Sequence, residues 1–421
     1  MVGQVELRTA KIWVEVQPGS SIQLWYWKKG LSGTAKSIQR TTKKDDWFTT
    51  VIFQVVGLEM NTTYEFQCMT VPGKPSKADG EFSTLDLWQY RKPVPEFTFL
   101  AGSCAYFNEP VYDRPGVPYG KDSSIFEAMA REKAAFMIWL GDNWYLREPD
   151  FQSEWGIWYR AHRDRSLKIL QPFLKAMPHY AIWDDHDYGP NNSDKSFHLK
   201  ETSRNVFLNY WANPSYGQNG EGIYTKLSYA DVDFFMMDDR YFRSADDMEP
   251  VIDGKPNPEK RMWGVKQLEW LKNSLRNSRA SFKIIITGSQ TLNIASTADN
   301  LQDYPIEFQE FLSFINQEKI SGILFITGDR HHSEVIKYER TGTYPLYDIT
   351  ASPLTAGIAK VGGKEKENPA RMEGTLVEEQ NYAKISVSGQ QNERVLTVRF
   401  IGLKGQSLAQ WSIHEKDLRT K

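Results

Sequence analysis

Disulfide bonds cannot hold this chain together. Its 421 residues include only two cysteines, Cys68 and Cys104, so stability has to come from packing, and the cysteine count leaves the redox compartment open. Long hydrophobic runs are missing too. The apolar stretches are about strand length, short of the roughly 18 residues that span a bilayer, and no transmembrane segment is expected. Neither sign of charge dominates, because 51 basic residues face 53 acidic ones for a formal net charge of −2. No global field would draw the protein to an anionic membrane or into a stable complex with nucleic acid. The opening stretch MVGQVELRTAKIWVEV lacks both an arginine pair and the apolar core of a secretory signal. That leaves a cytoplasmic location, or a periplasmic or secreted one if a signal was removed.

Aromatic bulk is abundant: 14 Trp, 20 Tyr and 22 Phe fit a packed globular protein and argue against extensive disorder. The length suggests two domains. From Val5 to about Thr84, short alternating runs (AKIWVEV, SIQLWYW, FTTVIFQV, TTYEFQCMTV) are separated by Gly, Pro, Ser and Asn clusters, a pattern that predicts an all-β sandwich over residues 1–90. Tyr64, placed just as a strand begins, is similar to the tyrosine corner of fibronectin-like sandwiches, and Cys68 falls mid-strand and is read as inert. Pro93 and Pro95 mark a linker over 91–95. From residue 96 to 421 near-continuous apolar runs (FTFLAGSC, AFMIWLGD, HYAIWDD, VDFFMMDD, KIIITGS, ILFITGD) alternate with helical stretches, which predicts sheets covered by helices, an α/β domain. Ser124 and Glu127 have capping-box spacing, and Leu268, Leu271 and Leu275 share one helix face. Strands after Glu334 are expected to extend those sheets, and 362–379 reads as a solvated loop.

The buried runs end in Cys104, Asp142, Asp185, Asp238, Ser289 and Asp329, at the edge where open α/β sheets bind ligands. A lone strand-terminal Asp is usually a turn former; six such endings point to a site. Asp142 can bridge two cations with its two oxygens, and Tyr145 can return as a phenolate, a donor suited to Fe3+ rather than Ca2+ or Mg2+. In Trp183-Asp184-Asp185-His186-Asp187, crowded carboxylates call for a cation or substrate, with Asp185 as ligand and His186 as general acid; a polar surface loop is the plainer alternative. In Gly328-Asp329-Arg330-His331-His332, alternation along an extended chain puts Asp329 and His331 on one side, with Arg330 pointing away. Cys104 is either a thiolate on the same rim or an ordinary buried cysteine. Arg240 can grip phosphate oxygens in a bidentate way, or serve a structural ion pair.

In their order, GSC at 102–104, GDNWY at 141–145, WDDHD at 183–187, DDRYFR at 238–243 and GDRHH at 328–332 resemble the alkaline phosphatase D (PhoD-like) family of metallophosphoesterases, which are similar in turn to purple acid phosphatases and calcineurin-like enzymes. The resemblance runs from about residue 96 to about 355, and the preceding sandwich looks like that family's N-terminal domain. It implies a four-layer αββα core after an all-β fibronectin/Ig-like sandwich. It also implies a binuclear or multinuclear centre of Fe3+ with Ca2+ or another divalent cation. By position, Cys104, Asp142, Tyr145, Asp185, Asp329 and His331 would be ligands, with Asp142 as the bridge; His186 would be the acid and Arg240 would lie near the phosphate. The implied activity is hydrolysis of phosphate monoesters and/or diesters by a metal-bound hydroxide. Two departures stand out: WDDHD replaces the commoner WDDHE, and the twin-arginine signal of secreted members is missing. The competing reading is a non-catalytic binding or adhesion protein with a degenerate phosphatase domain. Nothing in the sequence sets the oligomeric state.

Overall fold

The computed structural model describes residues 1–70, 74–296 and 298–420. Strands β1 (Val2–Val5), β2 (Thr9–Val16) and β5 (Thr49–Val56) form one antiparallel sheet. Strands β3 (Ser21–Lys28), β4 (Lys36–Thr41), β6 (Thr63–Thr70) and β7 (Lys74–Ser83) form another, in the order β4-β3-β6-β7. The alternation read in SIQLWYW and TTYEFQC is what buries Ile22, Leu24, Tyr64, Phe66 and Cys68 in a core of their own between the two. The Tyr64 hydroxyl accepts the Glu59 N–H at 2.9 Å. Val71, the last residue of the run assigned to β6 from sequence, lies outside the described residues, as does Lys421.

Two six-stranded mixed sheets follow. In the first, β8 (Phe97–Gly102), β9 (Met137–Leu140) and β10 (His179–Ile182) run parallel. In the second, β11 (Thr225–Tyr229) pairs antiparallel with β12 (Val232–Met236). A small ribbon, β13 (Val251–Ile252) with β14 (Lys255–Pro256), stands apart. Next come β15 (Phe282–Ile286), β16 (Ile323–Thr327), β17 (Glu334–Tyr338) and β18 (Leu346–Thr350), in the sheet order β11-β12-β15-β16-β18-β17. Finally β19 (Asn381–Ser388), β20 (Val395–Gly402) and β21 (Ser407–His414) complete the first sheet as β10-β9-β8-β19-β20-β21. The parallel strands β9, β15 and β16 are buried along their whole length, as near-continuous apolar runs require. The two sheets meet through ring contacts such as Phe99 on Phe234 at 5.1 Å. Phe126 of α1 (Ile125–Ala130) packs against Trp139 of the first sheet, and Phe311 of the helix Pro305–Gln317 against Phe325 of the second.

Three local expectations change. The Ser124 side chain makes no cap hydrogen bond; its N–H is held instead by Asp122 Oδ1 at 2.8 Å, so the capping box is absent. The stretch 362–379 is not a solvated loop. Val377 and Arg371 bridge to Ser333 and Ile336, because this charged segment carries partners for buried charges: Glu365 meets Arg330 at 2.6 Å and Arg371 meets Glu334 of β17 at 2.6 Å. The chain through 329–331 is not extended either, as the site geometry shows.

Candidate metal centre

The loops that leave β8, β9, β10 and β16 converge at one edge. Four residues on them hold left-handed backbone: Cys104 (φ 62°), Asp142 (φ 52°), Asp329 (φ 65°) and His331 (φ 57°). For residues with a Cβ this costs about 1–2 kcal/mol each, and such cost persists where the surroundings over-determine it, as at functional sites. Arg330 N–H closes on Gly328 O at 2.8 Å, so Asp329 and His331 reach the site from a turn and not by strand alternation. Gly141 (φ 94°) has no room for a side chain: a Cβ there would sit 2.6 Å from Asp184 Cβ. That close approach brings the loop carrying Asp142 onto the loop carrying Asp185.

Donor atoms gather in two groups, Cys104 with Asp142 and His331, and Asp142 with Asp185 and His186; within each group they lie within 4.8 Å of one another. Asp142 belongs to both. Cys104 Sγ is 3.6 Å from Asp142 Oδ2, and the Tyr145 hydroxyl is 3.2 Å from His331 Nε2. The Tyr145 ring stacks on His186 at 4.2 Å, and the His186 N–H faces Asp142 Oδ1 and Asp185 Oδ1. Asp329 stands beside the groups, with its carbonyl 3.7 Å from Cys104 Sγ. His332 points elsewhere, 3.4 Å from Glu334.

Burial pushes the Cys104 thiol up to about 12 and the Asp329 carboxyl up to about 6. It raises Asp142 well above the carboxylate range, with the charges of Asp185 and Cys104 adding to the effect, and it raises the Tyr145 phenol as well. Asp185 is the exception. Burial opposes its ionisation, yet His186, Arg240 and the Asn192 N–H hold it below the usual range. A thiol, a phenol, carboxyls and imidazoles packed this way are short of positive charge, and the buried His186 Nδ1 has no hydrogen-bond partner among the described residues. Bound cations reverse that electrostatic logic, and soft sulfur beside hard oxygen suits a transition metal next to a harder cation. The donor set therefore fits metal ions.

Arg240 is fully buried and donates to Asp184 at 2.5 Å, to Asp299 at 3.0 Å and to Ser289 at 3.3 Å. This is the structural ion pairing, and the bidentate grip on phosphate does not fit a guanidinium with no exposed surface. Asp238 accepts from Trp183 Nε1 and from the N–H groups of Ile223, Arg240 and Tyr241, so two of the six strand endings, Asp238 and Ser289, are scaffold. Sequence reasoning missed Tyr119, whose hydroxyl lies 3.1 Å from His331 Nδ1, and Ser352, which donates to Cys104 Sγ at 3.2 Å. Neither sits in a motif. A cavity of about 550 Å3 opens beside the cluster, lined by Asn192, Arg243, Lys260, Asp299, Asp303 and Asp329. A larger one, about 600 Å3, lies away from it near Trp13, Phe48 and His162. Trp155 and Tyr159 stack on each other and line neither.

The sequence profile of the PhoD-like phosphatases matches residues 99–399. Alkaline phosphatase D of Bacillus subtilis (strain 168) is 25% identical over 323 residues, 66% of this chain and 52% of that protein, so the chain spans about half the length of this relative. The solved structure of PhoD superposes with a TM-score of 0.79 at 18% identity, covering 100% of this chain and 90% of that one. A purple acid phosphatase from yellow lupin (Lupinus luteus) seeds gives 0.69 at 10% identity, covering 99% and 74%. These two structures share the fold. No described helix is long and apolar enough to cross a membrane. With a profile match that takes in every loop of the cluster, the chain belongs to the PhoD-like phosphatase family.

Proposed function

We propose that this chain hydrolyses phosphate esters at the cluster around Asp142, with Fe3+ and Ca2+ or another divalent cation as its metals. The observation that carries the reading is the membership of Asp142 in both donor groups, since one carboxylate shared by two sets of donors is what a bridged pair of cations needs. Cys104, Asp142, Tyr145, Asp185, Asp329 and His331 would hold the ions. Bound there, cations lower the pKa of water and neutralise charge on the phosphoryl oxygens.

His186 is fixed by its backbone bonds and by the Tyr145 ring, and would pass a proton to the leaving-group oxygen. Arg240 acts from behind, holding Asp184 and adding positive charge near Asp185. The neighbouring cavity would take the part of the substrate beyond the phosphate.

The same proposal extends to the architecture. Residues 1–90 would be a fibronectin/Ig-like sandwich, 91–95 a linker and 96–421 a catalytic domain of four αββα layers. Separate hydrophobic cores and the Tyr64 contact support this division. Turnover of a chromogenic monoester and a chromogenic diester, measured in parallel before and after chelation, tests the activity. Loss on chelation and return on re-addition of iron and calcium is expected; no turnover of either ester by the metal-loaded chain would contradict it.

A further inference from the structure

Arg165, at the end of α2 (Glu154–Arg165), is a buried cation of unusual kind. It is 2% exposed, and none of its three side-chain nitrogens has a hydrogen-bond partner among the described residues. Its guanidinium lies over the ring of Trp211 at 3.9 Å and faces Trp139 at 5.0 Å and Trp144 at 5.4 Å. Trp139 and Trp144 flank Asp142, three residues before it and two after. The guanidinium therefore seats the loop carrying Asp142 from behind, through ring faces that attract a cation.

Asp187 secures the same loop from the other side. Its carboxylate, 1% exposed, accepts the Asn143 N–H at 2.9 Å and the Asp184 N–H at 3.0 Å, tying the loop after β9 to the loop after β10. Asp187 forms no ion pair at contact distance among the described residues; it holds the loop at Asn143, and Arg165 holds the same loop through the adjacent Trp144. Asp164, next to Arg165 in sequence, meets Arg163 at 2.7 Å, and Glu15 meets His162 at 2.7 Å.

We propose that Arg165 and Asp187 act as a positioning pair, setting the separation of Asp142 and Asp185 and thereby the affinity of the cluster for cations. This rests on the metal-centre reading above. Neither residue touches substrate. Asp187→Asn replaces one acceptor oxygen by an amide that cannot accept an N–H, and R165M keeps the bulk of the box but removes its charge. Supporting groups of this kind typically change metal affinity by about 10–100-fold.

Equilibrium dialysis of the full chain against graded iron and Ca2+, read by elemental analysis, tests the pair. R165M and D187N are each expected to weaken cation binding by about tenfold or more. The double variant should lose little beyond the weaker single one, because either break frees the same loop. Asp187→Glu, which keeps the charge and both acceptors, should stay nearer the parent than D187N. Arg165→Lys keeps the charge without the planar fit; it should also weaken binding, and it carries the test if R165M does not fold. R160M is the control, since Arg160 is equally buried but pairs with Asp150 and Glu109; its cation affinity should not move even if its melting temperature falls. Unchanged binding in the Arg165 and Asp187 variants, strictly additive losses, or an equal loss in R160M would overturn the proposal. A parent chain that binds no cation would overturn the metal-centre reading, and this inference with it.

Discussion

The phenol oxygen of Tyr145 lies 3.2 Å from His331 Nε2, across 186 residues of sequence. Tyr145 follows β9 of the first sheet and His331 follows β16 of the second, so the contact joins the C-terminal edges of both. Cys104 and Ser352, which follow β8 and β18, meet beneath it at 3.2 Å. The cluster is thus a product of how two sheets pack, with each contributing donors the other lacks.

Asp142→Ala should abolish both cation uptake and turnover. It removes the group common to both donor sets, and metal charge stabilisation is worth several kcal/mol, so hydrolysis should fall by about 10²–10³-fold or more. Metal content and initial rates on the same preparation check this, and retention of full activity would contradict it.

Cys104→Ser should weaken iron binding, because it replaces a soft thiolate donor by a hydroxyl, and bleach any visible band arising from tyrosinate bound to iron. Tyr145→Phe should remove that band outright while leaving the fold intact, because Tyr145 packs by its ring. Absorption spectra of iron-loaded variants report the difference.

Acid should destabilise the fold through His179. Trp139 Nε1–H donates to its Nδ1 at 3.1 Å and its Nε2–H donates to Phe173 O at 3.1 Å, so the neutral ring is fully satisfied. Burial pulls its pKa to about 3, against about 6.5 in the unfolded chain. Between those values the unfolded state binds a proton that the folded state refuses. Stability contributed by this group is therefore constant above pH 6.5 and falls as pH drops toward 3, by about 1.4 kcal/mol per unit. His179→Gln should start less stable near neutrality but lose that share of the slope. Urea midpoints across the window measure it, and equal slopes would refute it.

Tyr64→Phe should cost about 0.5–1.5 kcal/mol by leaving the Glu59 N–H without its partner, with cation binding and hydrolysis untouched. Calorimetry should place the loss in the N-terminal core. A matching loss of cation affinity would argue against a separate sandwich.

Much of this was legible in the sequence because it is local. Buried strands such as MIWL and ILFIT announce themselves as unbroken apolar runs, and the motifs that end them carry the donors. The turn at Asp329 was not legible, since strand alternation assumes an extended chain and left-handed backbone breaks it. Nor was the burial of Arg240, whose partners Asp184 and Asp299 are set by tertiary packing. Tyr119 and Ser352 gave no signal for the same reason: their partners His331 and Cys104 lie 212 and 248 residues away.

Anomalous diffraction at the iron edge, from crystals of the full chain loaded with iron and calcium, tests the central claim most directly. A peak within bonding distance of Cys104 Sγ, Asp142 and His331 is the result predicted. Density for the same side chains with no anomalous peak among them would contradict it.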